Sequence, residues 1–221
     1  MMIPSIIKQK MPVMILVSSF LVTGCQTAYY GTMEKFGVHK RDILAKRVVK
    51  ARDSQEEAKQ QFKSALHKFN SVLNNKETNL KAAYDQLNDE LEISESKAKA
   101  VSSRIASVED VSDDLFDEWK VEISQYSSSK LRRLSQRKYT KTRQQYKKLI
   151  AAMKRAESKI EPVLSTFRDQ VLFLKHNLNA QAISSLQGEL VSIESNVKSL
   201  IKEMEKSIKE ADSFIDTMNQ E

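Results

Sequence analysis

The sequence predicts an all-α protein made of two long antiparallel helical hairpins of coiled-coil character, either elongated or packed side by side as a four-helix bundle. Three observations predict it. Gly and Pro together number seven in 221 residues, and beyond Gly37 the only helix breakers are Pro162 and Gly188. Apolar residues recur in alternating steps of four and three over long stretches, which keeps one stripe of a helix facing a neighbour. Short polar runs separate these stretches and read as turns between antiparallel neighbours.

Ahead of the helices lies a segment of a different kind. Lys8 and Lys10 precede the apolar run Met11–Val22, and residues 1–24 hold no acid. That run is too short to span a bilayer and suits the apolar centre of a secretory signal peptide. It closes on Leu21-Val22-Thr23-Gly24-Cys25, the pattern of a bacterial lipobox. The Cys25 thiolate would take a diacylglycerol thioether, and cleavage after Gly24 would leave Cys25 as an N-terminus carrying fatty acyl chains such as palmitate. At about 0.8 kcal/mol per buried methylene, two or three chains hold a protein on a membrane where one would not. Cys25 is the only cysteine, so no intramolecular disulfide can form. Gln26, not Asp, follows it, which in a two-membrane cell favours the outer membrane, with the chain facing the periplasm.

Residues 1–24 are thus read as a lipoprotein signal peptide, 25–40 as a lipidated tether and 41–221 as one helical domain. Removing the signal peptide takes two lysines, so the net charge falls from +7 to +5. Within the domain the first hairpin is assigned to 42–108. Its first arm carries Leu44, Val48, Ala51, Gln55, Ala58, Phe62, Ala65, Phe69 and Val72, with Asp42 as a first-turn acid or N-cap. The alanines at 51, 58 and 65 imply close helix approach. Asn74–Thr78 is the turn. The second arm carries Leu80, Tyr84, Leu87, Leu91, Ser94, Ala98, Val101, Ile105 and Val108.

A connector is assigned to 109–141. Residues 109–122 hold seven acids against Lys120 alone and read as a short helix with Leu115, Phe116, Trp119, Ile123 and Tyr126 on one face; Ser127–Ser129 interrupts it or caps the next helix. The second hairpin, 142–219, begins with Thr142, Tyr146, Leu149, Met153, Ala156, Ile160, Val163 and Phe167. Pro162 is expected to kink this helix without ending the pattern. A turn is placed at His176–Asn179 with Asn179 as a cap. The last seam runs Leu186, Leu190, Ile193, Val197, Leu200, Met204, Ser207, Ala211, Phe214 and Met218. The run Val171–Leu174 has more apolar residues than one seam buries; burial against another helix is favoured over an exposed apolar end.

Charge reverses after the acidic stretch. From Ile123 to Ala156 there is no acid, and the basic block 130–155 holds eleven Lys and Arg residues. Arg132, Arg133, Arg137, Lys138, Lys141, Arg143, Lys147 and Lys148 are the candidates for contact with an anionic surface, each such cation gaining about 1 kcal/mol near anionic lipid. The competing expectation is pairing with the acids at 109–122, which would make both blocks structural.

Catalytic signals are weak. His39, His67 and His176 form neither an H-E-x-x-H nor the paired Glu-x-x-His of a di-iron bundle, and no phosphate-binding glycine loop or nucleophile elbow occurs. His67 lies off its seam and reads as a solvated helix residue. No catalytic residue, metal or cofactor is assigned. Nucleic acid is not expected as a partner in an envelope compartment.

Tyr29–Leu66 and Gln170–Leu190, with the phrase LFDEWKVEISQY between them at 115–126, resemble a family of uncharacterised bacterial lipoproteins catalogued as domain of unknown function 2959. The likeness spans essentially the whole mature chain. It implies a helical envelope lipoprotein of a two-membrane bacterium and supplies no activity, ligand or site residue. The expectation is a non-catalytic spacer or scaffold, tethered to the membrane, that binds an envelope protein. The alternative is a module that binds anionic lipid or envelope polymer through the basic block.

Overall fold

The computed structural model describes residues 39–74, 79–177 and 179–220, which belong to one compact unit. Cys25 and the signal, tether and first-turn assignments at 1–38 and 75–78 lie outside the described residues. Among the described residues five helices follow one another: α1 (Lys40–Asn74), α2 (Leu80–Gln125), α3 (Ser129–Ser158), α4 (Ile160–His176) and α5 (Ala180–Gln220).

Polar side chains set the starts. Asn79 accepts hydrogen bonds from the Lys81 and Ala82 amides at 3.0 and 3.2 Å, and Ser128 accepts from Leu131 at 3.4 Å. Asn179 accepts from Ala182 at 3.0 Å, the cap expected there. α3 and α4 are one arm with a break at Lys159. Pro162 has no N–H to offer the Ser158 carbonyl and crowds it with its ring, so the α-helix stops at Ser158. Lys159 donates instead to the Ala156 carbonyl at 3.1 Å. Pro162 then sits in the first turn of α4, where a missing N–H is harmless. Ala156, Ile160 and Val163 stay buried across the break, so the stripe continues through it.

Polar contacts fix the neighbours and their directions. α1 and α2 run antiparallel, with Lys97–Glu57 at 2.7 Å and Arg47–Asp110 at 2.9 Å. α2 runs antiparallel to the third arm, through Lys154–Glu109 at 2.8 Å and Arg168–Glu95 at 2.5 Å. α5 returns along α3, where Gln145 donates to Thr217 at 3.1 Å, and along α1, where Arg52 meets Asp212 at 2.9 Å. Each arm therefore packs on the arms before and after it, and the last on the first: an up-down-up-down four-helix bundle. The side-by-side alternative holds, and the end-to-end rod does not.

Every seam position of α1 is buried, as are Leu87 to Val108 on α2, Thr142 to Phe167 on the third arm, and all of the last seam except half-exposed Leu190. Two expectations need correction. No separate acidic helix exists: α2 runs unbroken from Leu80 to Gln125, with Val111, Ser112 and Phe116 continuing its buried face. The run 171–174 is only half buried, because Val171 and Leu174 face the core while Leu172 and Phe173 lie roughly opposite and stay exposed.

Candidate functional site

α2, and the third arm formed by α3 and α4, are longer than α1 and α5. Lys40, at the start of α1, pairs with Glu118 at 2.9 Å, and Arg41 reaches the Met218 carbonyl at 3.4 Å. That level marks where α1 begins and α5 ends. The seven residues Trp119–Gln125 carry α2 roughly 10 Å further at 1.5 Å per residue, and α3 returns beside it from Ser129. The bundle thus ends, on the side where the chain enters α1, in a two-helix tip closed by Tyr126-Ser127-Ser128.

An aromatic cluster holds the base of this tip. Phe116 meets Tyr139 edge-on at 5.8 Å and Tyr146 at 5.4 Å, and Trp119 meets Tyr139 edge-on at 5.7 Å. The Trp119 indole donates to Ser135 at 2.9 Å. Burial pushes the Tyr146 phenol above its ordinary pKa. Offset and edge-on rings contribute packing energy beyond their buried area, so the two helices stay together where α1 and α5 no longer cover them. At the turn, the Arg132 guanidinium donates twice to the Tyr126 carbonyl, at 2.6 and 3.2 Å.

The two charged blocks divide unequally. Acids of α2 pair mainly inward: Glu118 with Lys40, Asp110 with Arg47, and Glu109 with Lys154. Asp113, left among Asp117, Glu109, Asp114 and Asp110, has its pKa raised, first by partial burial and then by those like charges. Of the basic block, Lys154 and Arg155 find carboxylates, Arg155 on Glu203 at 4.0 Å. Among the described residues, Lys130, Arg132, Arg133, Arg137, Lys138, Lys147 and Lys148 form no ion pair. Arg143 donates to the Tyr139 hydroxyl at 2.6 Å and lies 5.7 Å from that ring's centre. Lys141 is exposed. Lys130, Arg133, Arg137, Lys141 and Lys148 fall on one stripe of α3, opposite buried Tyr139, Thr142 and Tyr146. Pairing with the acidic block therefore accounts for Lys154 and leaves Lys130, Arg133, Arg137 and Lys138 without a carboxylate among the described residues.

The sequence pattern placed Tyr126 on an apolar face but did not single out Val121, Leu131 and Leu134, which complete the apolar part of the tip. Val121, Tyr126, Leu131 and Leu134 are 58, 38, 50 and 53% exposed. A signal was present: the third seam extends back from Thr142 through Tyr139 and Ser135 to Leu131. Those positions would be core if another helix reached them.

Elsewhere the surface offers little for chemistry. Among the described residues no group of three or more His, Cys, Asp or Glu side chains is placed to hold a metal ion, and no helix is long and apolar enough to cross a membrane. An open depression of about 430 Å³ between α1 and α2 is lined by Glu56, Glu57, Gln60, Gln61, Ser64 and Lys97. Its polar groups already have partners: Lys97 meets Glu57, Lys59 and Gln60 meet Glu56, and Gln61 and Ser64 donate to Glu90.

A family model described as "Protein of unknown function (DUF2959)" matches residues 29–218. The chain belongs to this family. The match covers both hairpins and the tip between them, so the four-helix bundle is the body of a DUF2959 protein. No curated protein and no solved structure matches the chain.

Proposed function

We propose that this DUF2959 protein is a non-catalytic lipoprotein of the cell envelope, held on the periplasmic face of the outer membrane by acylated Cys25. Its bundle serves as a rigid spacer or scaffold that presents helix surfaces to an envelope partner. The observation that carries the reading is the Leu21–Cys25 pattern placed directly ahead of a bundle whose interior is filled by its own side chains. The void beside Phe69 and Phe167 holds only about 10 Å³, too small to take a substrate. Mass spectrometry of the envelope-purified protein tests the anchor: the mature N-terminus should be acylated Cys25, and Cys25→Ser should leave an unprocessed precursor. A mature chain starting elsewhere without lipid would falsify it.

A second reading gains from Lys130, Arg132, Arg133, Arg137 and Lys138, which form no ion pair among the described residues: the basic face of α3 contacts an anionic surface, either lipid head groups or envelope polymer. Its test uses the mature chain with Ser at position 25 and sedimentation with anionic vesicles. Binding should be present at low salt and weaken as screening shortens to about 8 Å at physiological ionic strength. Changing Arg132, Arg133, Arg137 and Lys138 to Gln should abolish it while the melting temperature holds, since exposed side chains cost within about 0.5 kcal/mol when replaced. Wild-type protein that ignores such vesicles at low salt leaves only the spacer that binds a protein partner.

A further inference from the structure

We infer that the tip of the α2–α3 hairpin inserts its apolar side chains into the interface of an anionic phospholipid bilayer, the same bilayer that holds the Cys25 lipid. The bundle is then fastened at two points. This rests on the lipid-anchor reading and goes beyond surface contact by the cations.

Four observations carry it. Val121, Tyr126, Leu131 and Leu134 are large, apolar or amphipathic, and at least about two-fifths exposed within fourteen residues of one another along the chain. Soluble monomers seldom gather such residues at one projecting point. Lys130, Arg132, Arg133, Arg137 and Lys138 lie beside Leu131 and Leu134 along the first turns of α3, with no carboxylate paired to any of these five among the described residues. Apolar side chains beside Lys and Arg are the composition of an element that lies in a bilayer interface, with chains below the head groups and cations among the phosphates. Placement is the third observation: the Lys40–Glu118 pair puts the start of α1 at the base of this tip, not at the opposite end. Finally, the roughly 14 residues from Cys25 to His39 reach at most about 50 Å when extended, which lets a tip projecting past Lys40 meet the membrane that holds the acyl chains.

Other occupants fit less well. A second copy of the tip would bring five cations against five, and like charges set against each other suppress association. The interior of a protein interface is poor in lysine, whereas the exposed leucines here lie directly beside Lys130 and Lys138.

The test uses the lipidated protein reconstituted in phosphatidylcholine–phosphatidylglycerol vesicles. A cysteine is placed by Leu131→Cys or Leu134→Cys, and as a distal control by Val191→Cys. Val191 is 79% exposed on α5, three residues from Glu194, which contacts Asn70 near the far end of the bundle. All three positions are exposed, so folding is preserved. An environment-sensitive dye on each cysteine should shift to the blue at the tip and be quenched by doxyl-labelled phospholipid, with neither response at Val191→Cys. In the mature chain carrying Cys25→Ser, Leu131→Ser and Leu134→Ser should each lower partitioning to added vesicles about tenfold.

A tip dye that stays unquenched overturns the inference. If salt-sensitive vesicle binding persists in that case, contact is by the cations alone and the surface-binding reading survives. A blue shift without lipid that grows with protein concentration means that the tip meets a second copy, and overturns it as well. Failure of the anchor reading shows itself separately, as dye on Cys25, which acylation would block. The partitioning of the Cys25→Ser chain then decides insertion without the anchor.

Discussion

Gln55→Leu should make the bundle more stable. Gln55 and Ser207 are both fully buried, facing each other between α1 and α5, and Ser207 donates to Gln55 Oε1 at 2.7 Å. The amide nitrogen, Nε2, is buried with no partner among the described residues. A buried donor left unmade costs about 1–3 kcal/mol, while the one bond that Gln55 does make contributes only about 1 kcal/mol net. Leucine has nearly the same reach, removes the unmet donor, and adds apolar surface to a seam formed otherwise by Ala51, Ala58 and Phe62. The Ser207 hydroxyl can turn back to a carbonyl of its own helix, as serines inside helices do. The expected gain is about 1–2 kcal/mol after loss of the Ser207 bond. For a bundle of this size it appears as a rise of about 2–8 °C in the melting temperature. Thermal melts and urea titrations followed by circular dichroism measure it, with unchanged slope showing that the unfolded state is the same. A lower melting temperature would refute the reasoning and show that Nε2 is satisfied, for instance by a buried water.

Three further outcomes follow from packing, backbone and charge. Phe62 is fully buried in the α1 seam, so Phe62→Asp should cost at least about 4 kcal/mol by burying an unpaired charge and losing an aromatic core residue, read as a collapse of the urea midpoint. Gly188 lies inside α5 with nothing within 4 Å of where a Cβ would stand, so Gly188→Ala should add about 0.5–1 kcal/mol; a lower melting temperature would mean that the position needs glycine. Asp113→Asn should stabilise by a few tenths of a kcal/mol at neutral pH, a small effect because the carboxylate is solvent-exposed. Because the folded state raises its pKa above the unfolded value, stability falls as pH rises through that window. The benefit should therefore vanish below about pH 4, and a benefit unchanged at low pH would exclude the charge explanation.

Much of the core was legible because seam spacing is a local property. Gln55, Ser94, Thr142 and Ser207 are polar, yet the four-three rhythm placed each on the buried stripe, and each is buried. What the spacing could not supply is whether a neighbour exists at a given height. Val111 and Ser112 lie within the acidic stretch, where charge masked the continuing stripe; they are buried because α2 is still flanked there. Leu131 continues its own stripe equally well and is exposed, because α1 and α5 stop short of it. Burial at these two places depends on relative helix lengths and register, which are set by turns far away in the sequence. The cations were found from composition alone, but that Lys130, Arg133, Arg137 and Lys138 meet no carboxylate among the described residues required the positions of Arg47 and Lys40, which take Asp110 and Glu118.

Helix length also accounts for the charge asymmetry. Below the level of Lys40, α2 is flanked by α1 and by the third arm, so its acids lie within reach of Lys40, Arg47 and Lys154. Among the described residues, the first turns of α3 are flanked by α2 alone, and no other described helix supplies a carboxylate to the side facing away from it. Solvated lysines and arginines cost the fold almost nothing there, because exposed charges neither pair strongly nor need to. The same circumstance leaves Leu131 and Leu134 uncovered, and exposed apolar area does carry a cost: at about 25 cal/mol per Å² it forgoes stabilisation that a longer α1 or α5 would provide. A net positive face is thus a cheap by-product of the geometry, whereas the apolar residues beside it are not. Of the features at this end of the bundle, the exposed leucines and Val121 are the ones that folding gives no reason to place there, and they carry most of the argument for a surface that this tip meets.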